Sequence, residues 1–338
     1  MNPAPAPIAV SIGDPAGIGP ELIAEIWSQR GSLGLAPFAV VGGASVLAGA
    51  ARSRGLSIEI ARVADFAEAT SVFDKALPVL GDRDAPHSPG APNEEGASLA
   101  LHSLEKAADL ALSGAASALV TMPVSKSRLA SVGFIHPGQT EFIAAACERA
   151  TRDAVMMLAG PSLRAVPLTV HCALAEVPRI LTTETILHKG RIVAEALRRD
   201  FGIAAPRLAI CGLNPHAGED GRMGREEAAV IVPAIQALKA EGIDATGPHP
   251  ADALFAARAR ETYDVALAMY HDQALIPVKA LDFDEGVNVT LGMPIIRTSP
   301  DHGTAFAIAG QGIANPGATI AALRMAADCA ARRASADG

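Results

Sequence analysis

Short apolar runs bounded by turn residues alternate along this chain with longer stretches of helical period. Residues 8–12, 38–41 and 118–121 read as buried strands, four or five mostly apolar residues each. The same holds for 155–158, for Val166, Leu168 and Val170, for Leu208, Ile210, Gly212 and Leu213, and for Val265, Leu267 and Met269. Between them, helices are predicted near 97–112, 140–150, 182–199, 226–239 and 318–332. The helix predicted at 182–199 carries an apolar stripe through Ile186, Ile192, Val193 and Leu197. Residues 81–96 are rich in Pro, Gly and Asp and read as a surface loop, and residues 1–7 alternate Pro and Ala as a frayed lead-in. Strands alternating with helices predict an α/β fold with a largely parallel sheet.

The length of 338 residues makes two domains the default. A net charge of -8 without a clustered basic face excludes a nucleic-acid footprint, although local cations can still hold a small anion. Cys147, Cys172, Cys211 and Cys329 are far apart and show no C-x-x-C spacing, as expected of free thiols in a reducing compartment. The longest charge-free stretch, 110–125, contains Ser, Thr and Pro and is too short for a membrane span. With no basic, apolar leader at its start, the chain reads as a soluble cytoplasmic protein.

Candidate chemistry concentrates at strand ends, where open parallel sheets bind ligands. His171, His216 and His271 each follow one apolar run. A lone histidine is usually structural, but three at strand ends suggest a metal site, and their wide separation suits an open catalytic site better than a compact structural one. The glycine-rich turn GDPAGIGPE, residues 13–21, opens a helix; it is neither G-x-G-x-x-G nor a Walker loop, and reads equally as an anion site or a tight turn. Lys279, Asn288 and Arg297 would suit a phosphate plus a carboxylate, or be solvated charges. Glycines at 303, 310 and 312 allow the close backbone approach that a nucleotide loop needs.

Taken together, GDPAGIGPE, PGQTEF, GLNPHAGED, ADALF, AMYHDQ and GVNVTLGMPIIRTSPDHGT resemble the 4-hydroxythreonine-4-phosphate dehydrogenase family of pyridoxal phosphate biosynthesis. The resemblance runs from about Ile8 to Leu323. GDPAGIGPE and HGTAFAIAGQGIANP also resemble the wider isocitrate and isopropylmalate dehydrogenase group. The likeness implies two α/β/α subdomains with a cleft between them: 1–130 plus 300–338 on the NAD side, and 131–299 for metal, substrate and dimerisation.

It further implies a divalent metal (Zn, Mg, Co or similar) on His171, His216 and His271, and substrate contacts at Gln139, Thr140, Lys279, Asn288 and Arg297. NAD or NADP would meet Gly303, Thr304, Ala305 and Asn315, and the active site would lie at a homodimer interface. Two departures stand out. Ala307 occupies a place where the wider group often carries an acid toward the ribose, and Gln139 replaces the family's usual histidine. Glutamine donates a hydrogen bond but does not titrate, so a substrate-holding role survives at 139 and a proton-transfer role does not.

The implied reaction is NAD-dependent, metal-assisted oxidation and decarboxylation of 4-phosphohydroxy-L-threonine, with Asp272 and Lys279 as candidate bases by position. Another four-carbon phosphorylated acid, such as threonate or erythronate 4-phosphate, is the nearest alternative substrate. A metal-dependent hydrolase or aldolase is the alternative of another class, against which the nucleotide-type loop speaks.

Overall fold

The computed structural model describes residues 6–336, so most of the expected N-terminal lead-in lies outside the described residues. The chain divides into two compact units, Met1–Thr151 with Met293–Gly338, and Arg152–Gly292.

The first unit starts with β1 (Ile8–Ser11), β2 (Phe38–Val41), β3 (Ile60–Val63), β4 (Leu77–Leu80) and β5 (Leu119–Thr121). They lie side by side in the order β3-β4-β2-β1-β5, every pair parallel. β1, β2, β4 and β5 are buried at every position, which is why β1, β2 and β5 read as mostly apolar runs rather than alternating ones; β3 and β4 were not predicted. The helix Glu94–Leu112 begins three residues before the predicted start. Asn93 caps it, its Oδ1 accepting the Gly96 N–H at 2.8 Å, and Glu94 and Glu95 complement the helix dipole. Ser103 on this helix is fully buried; it accepts from the Ile12 N–H and donates to the Val41 carbonyl, joining the ends of β1 and β2.

The second unit holds β6 (Val155–Ala159), β7 (Arg164–Pro167), β8 (Arg207–Cys211), β9 (Asp244–His249), β10 (Val265–Ala268) and β11 (Val287–Leu291). Their order is β11-β6-β7-β10-β8-β9. β7, β10, β8 and β9 run parallel, but β6 is antiparallel to both β7 and β11. A largely parallel sheet was expected; the link 160–163 is too short for a crossover and forces a hairpin. The helix Thr183–Arg199 is capped by Thr182 and buries Ile186, Val193 and Leu197 as its stripe predicts. The expected 226–239 helix opens with a wide π turn, Glu227–Ile231, before Val232–Ala240, because Pro233 has no amide to continue a regular ladder.

The chain then returns to the first unit as β12 (Arg297–Pro300), parallel to β5 on its outer side. The boundaries expected at 130 and 300 therefore fall at 151 and 292. Phe142 packs on the cluster of Ala100, Leu104, Leu129 and Phe134, and Arg297 pairs with Leu119, so Gln139, Thr140 and Arg297 all belong to the first unit. The helix carrying Gln139 and Thr140 ends at Ala146 rather than 150, with Glu148 in left-handed backbone just beyond. All four cysteines are free thiols. No helix among the described residues is long and apolar enough to cross a membrane.

β8 and β10 are joined at their starts by Arg207 and Asp264. The Asp264 carboxylate accepts from the Arg207 backbone N–H at 2.8 Å and from Nε and Nη2 at 3.1 and 3.0 Å. Burial would raise its pKa, but the Arg207 hydrogen bonds and charge outweigh burial and hold it below the ordinary 3.8. A pKa lowered by folding gives stability that is present above the unfolded value and lost as pH falls through the folded one. Asp264→Asn is therefore expected to lower the urea midpoint at about pH 7 and to lose that effect at about pH 3. Equal midpoint losses at both pH values would show that the carboxylate charge contributes nothing.

Candidate functional site

In the second unit the three candidate histidines follow β7, β8 and β10, and buried or half-buried side chains tie those strand ends together. Thr169 Oγ1 donates to the Met269 carbonyl at 2.8 Å, joining the end of β7 to that of β10. Gln273 accepts the Met269 N–H on Oε1 at 2.6 Å and donates from Nε2 to the Gly212 carbonyl at 2.9 Å, joining β10 to β8. Lys189 donates to the Leu168 carbonyl at 2.9 Å, and burial pulls its ammonium pKa down. None of these three was singled out from the sequence. Gln273 stands in AMYHDQ, two residues past His271, and that proximity was the one available signal.

His171 sits in left-handed backbone at φ 49°, and His271 is the first residue of the helix His271–Asp282. Their rings lie 5.9 Å apart between centroids and line a cavity of about 270 Å³ with Cys172, Tyr270 and Asp272. Asp272 Oδ1 is 2.7 Å from His271 Nδ1. A carboxylate there accepts a hydrogen bond from Nδ1–H and so favours the tautomer whose Nε2 lone pair is free, as metal-binding imidazoles require. This pair fits two ligands of an open metal site.

His216 does not join them. It is exposed, in a stretch where residues 216–220 all have positive φ. Four of those five are not glycine, and each costs on the order of 1 kcal/mol in that region. Asn214 anchors the stretch: its N–H donates to Glu227 at 2.7 Å, and its Nδ2 to Glu226 at 2.8 Å and Glu227 at 3.0 Å. Among the described residues no three or more His, Cys, Asp or Glu side chains are grouped to hold a metal ion.

The helix that starts at His271 also carries Asp272 and Lys279. Seven residues apart, they share a helix face about 10 Å apart along the axis. Lys279 Nζ lies over the Phe283 ring at 5.8 Å. Asn288 is on β11, and its Oδ1 is buried with no hydrogen-bond partner.

In the first unit, the turn 13–21 and the loop after β12 are stitched together. Ile18 N–H donates to the Thr304 carbonyl at 3.0 Å, and Glu21 accepts the Gly310 N–H at 3.1 Å. A Cβ at Gly17 would lie 2.7 Å from the Thr304 oxygen, so only glycine permits this approach. Ala16 and Gly17 give their amides to Asp14. The turn thus spends its amides on the protein and supports the loop instead of presenting them to an anion. Of the residues expected to meet the dinucleotide, Thr304 is held by its carbonyl, Ala305 is in left-handed backbone at φ 47°, and Gly303 is exposed. Asn315 Oδ1 accepts the Gly317 N–H at the head of the helix Gly317–Ala336.

Arg297 opens β12 and is 4% exposed. Its Nη2 donates to Gln139 Oε1 at 3.1 Å, and Nε and Nη2 both donate to Thr121 Oγ1. Burial lowers its pKa to about 10, which still leaves it charged at neutral pH; Glu141 acts in the opposite sense. Thr140 follows Gln139 in the same first helical turn and is half-buried. The structure thus brings Arg297 and Gln139 together in one unit, and His171, His271 and Asp272 together in the other.

Parallel strands that end in polar, buried-anchored loops define each unit as part of an α/β enzyme. Residues 35–326 match the model of the pyridoxal phosphate biosynthetic protein PdxA family. A protein of Erythrobacter litoralis called 4-hydroxythreonine-4-phosphate dehydrogenase is 64% identical, over 98% of each chain. The crystal structure of a 4-hydroxythreonine-4-phosphate dehydrogenase from Klebsiella pneumoniae is 37% identical with a TM-score of 0.86, covering 98% of this chain and 99% of its own. A terephthalate 1,2-cis-dihydrodiol dehydrogenase from Burkholderia xenovorans is more distant, at 28% identity and TM-score 0.65, covering 96% of this chain and 98% of its own. This chain belongs to the PdxA family.

Gln273→Ala would leave the Met269 N–H and the Gly212 carbonyl without partners, a loss of roughly 2–4 kcal/mol. Denaturant unfolding should read that loss, and amide exchange at Met269 should quicken. Unchanged stability together with unchanged exchange would show that the bridge does not form in solution.

Proposed function

We propose that this chain oxidises and decarboxylates 4-phosphohydroxy-L-threonine to 3-amino-2-oxopropyl phosphate, using NAD or NADP, in the formation of pyridoxal 5'-phosphate. The observation that carries this reading is 64% identity along nearly the whole chain to a relative of that name. The residues support it. Arg297 is a buried cation oriented by Thr121 and Gln139, as an anionic substrate requires. Lys279 and Thr140 serve the same substrate, and the orphaned Asn288 Oδ1 accepts one of its donors. Oxidation at the 3-hydroxyl places a ketone β to the carboxylate, which then leaves as CO2. Asp272 and Lys279 are the candidate proton acceptors, and Gln139 holds substrate without titrating.

Gly303, Thr304, Ala305 and Asn315 form the proposed dinucleotide contacts on a loop anchored by Ile18 and Glu21. His171 and His271 would hold a divalent metal, and His216, exposed on its own loop apart from that pair, would have to approach them to serve as the third ligand. When bound, the metal supplies a Lewis acid and the dinucleotide a hydride acceptor. A homodimer with the active site at its interface is supported by apolar side chains exposed on the histidine-bearing unit, among them Leu174, Ile276 and Phe283. Four free thiols support a cytoplasmic setting.

NADH absorbance should rise with 4-phosphohydroxy-L-threonine and a divalent cation, and more slowly with threonate or erythronate 4-phosphate. A reversed order would transfer the assignment to the other acid, and no dinucleotide reduction with any of them would defeat it. His171→Ala and His271→Ala should each strip metal from the purified protein while the fold remains. Full metal content in both variants would remove these histidines from the metal site.

A further inference from the structure

Thr121 ends β5 and is fully buried. Its Oγ1 accepts two hydrogen bonds from one guanidinium, from Arg297 Nε at 3.1 Å and from Nη2 at 2.7 Å. Two donors of a rigid planar group on one oxygen fix the rotation of that plane about the side-chain stem. Gln139 takes Nη2 from another side, at 3.1 Å. Its own orientation is set as well, since Nε2 donates to the Met122 carbonyl at 3.3 Å. Reversing that amide would point N–H donors at guanidinium donors and a carbonyl at a carbonyl. Met122 directly follows Thr121, so one short segment at the end of β5 controls both acceptors.

Thr121 and Gln139 are both neutral acceptors. They aim the guanidinium without cancelling its charge, which a carboxylate in either place would do. We infer that Thr121 is a positioning residue for the anion-binding step: its hydroxyl, with the Gln139 amide, aligns the Arg297 guanidinium on an anionic group of the substrate. This inference rests on the proposed function for the identity of the substrate. The ligand chemistry is an oxyanion, either the phosphate or the carboxylate of the same molecule.

The test compares Thr121→Val, which keeps the shape and loses the acceptor, with Thr121→Ser, which restores it. In the enzyme assayed with metal, NAD and 4-phosphohydroxy-L-threonine, Val should raise KM roughly tenfold with little change in kcat, and Ser should stay within about threefold of the parent. A Val variant with parental KM, or a Ser variant as impaired as Val, overturns the inference. Should Val fail to fold, Thr121→Cys makes the same comparison, because a thiol is a weak acceptor.

Calorimetric titration with inorganic phosphate and with acetate reads anion binding without turnover. Weakening of either anion by Val, and not by Ser, supports the role and identifies which end of the substrate Arg297 meets. Weakening of neither overturns it. An unmodified enzyme that fails to turn over the substrate but shows the Val-to-Ser difference in anion titration defeats the functional reading and leaves the positioning role intact.

Discussion

A buried parallel strand cannot stop without finding partners for its last amides and carbonyls, and this requirement shapes both units. Water does not reach those groups, and leaving one unpaired costs about 1–3 kcal/mol. The sheet satisfies them only as far as the neighbouring strand extends. Beyond that point, side chains take over. In the second unit Gln273 reaches the backbone just past β10 and just past β8, Thr169 reaches it just past β10, and Lys189 reaches it at Leu168, just past β7. In the first, Ser103 does the same between Ile12 and Val41. Loops carrying reactive groups are thereby fixed at their roots and left open at their tips. His171 and His271 face each other because their roots are tied, not because their own side chains hold them.

The same economy governs charge. The two units answer the problem of a buried cation in different ways. Lys189 is held by a carbonyl, and burial weakens its hold on the proton. Arg297 keeps its charge at neutral pH because its pKa starts far higher, and delocalisation makes its desolvation less costly. A lysine in its place would be prone to neutralise, and the anion-binding character of the strand end would go with it. Arginine is the residue type that burial and charge together select.

Much of this was legible in the sequence. Apolar runs identified β1, β2, β5, β6, β7, β8 and β10 but missed the buried β4, and the stripe through Ile186, Ile192, Val193 and Leu197 identified the long helix. The positions of His171, His216 and His271 past strand ends were readable from the same runs. Their distances were not, because those depend on loop backbone: φ is positive at both His171 and His216, a conformation in which histidine is enriched but which is too uncommon for propensity to place. The β6–β7 hairpin escaped notice because a continuous apolar run carries no sign of strand direction. Thr121 and Gln273 were invisible for a further reason. Their partners, Arg297 and Gly212, are 176 and 61 residues away, and only sheet register brings them within reach.

The return of the chain to its first unit has a consequence during synthesis. β12 is the outer neighbour of β5, and the Gly310 amide meets Glu21 across 289 residues of sequence. The whole second unit is made between them. A ribosome releasing this chain exposes five parallel strands whose last edge is unpaired until residues 297–300 emerge. Contacts of such separation close late and slowly. Residues 152–292, by contrast, are continuous and complete while the first unit still waits. The order of emergence therefore places the histidine-bearing half of the molecule ahead of the arginine clamp. The open edge of β5 is the stretch that a nascent chain most needs shielded from its neighbours.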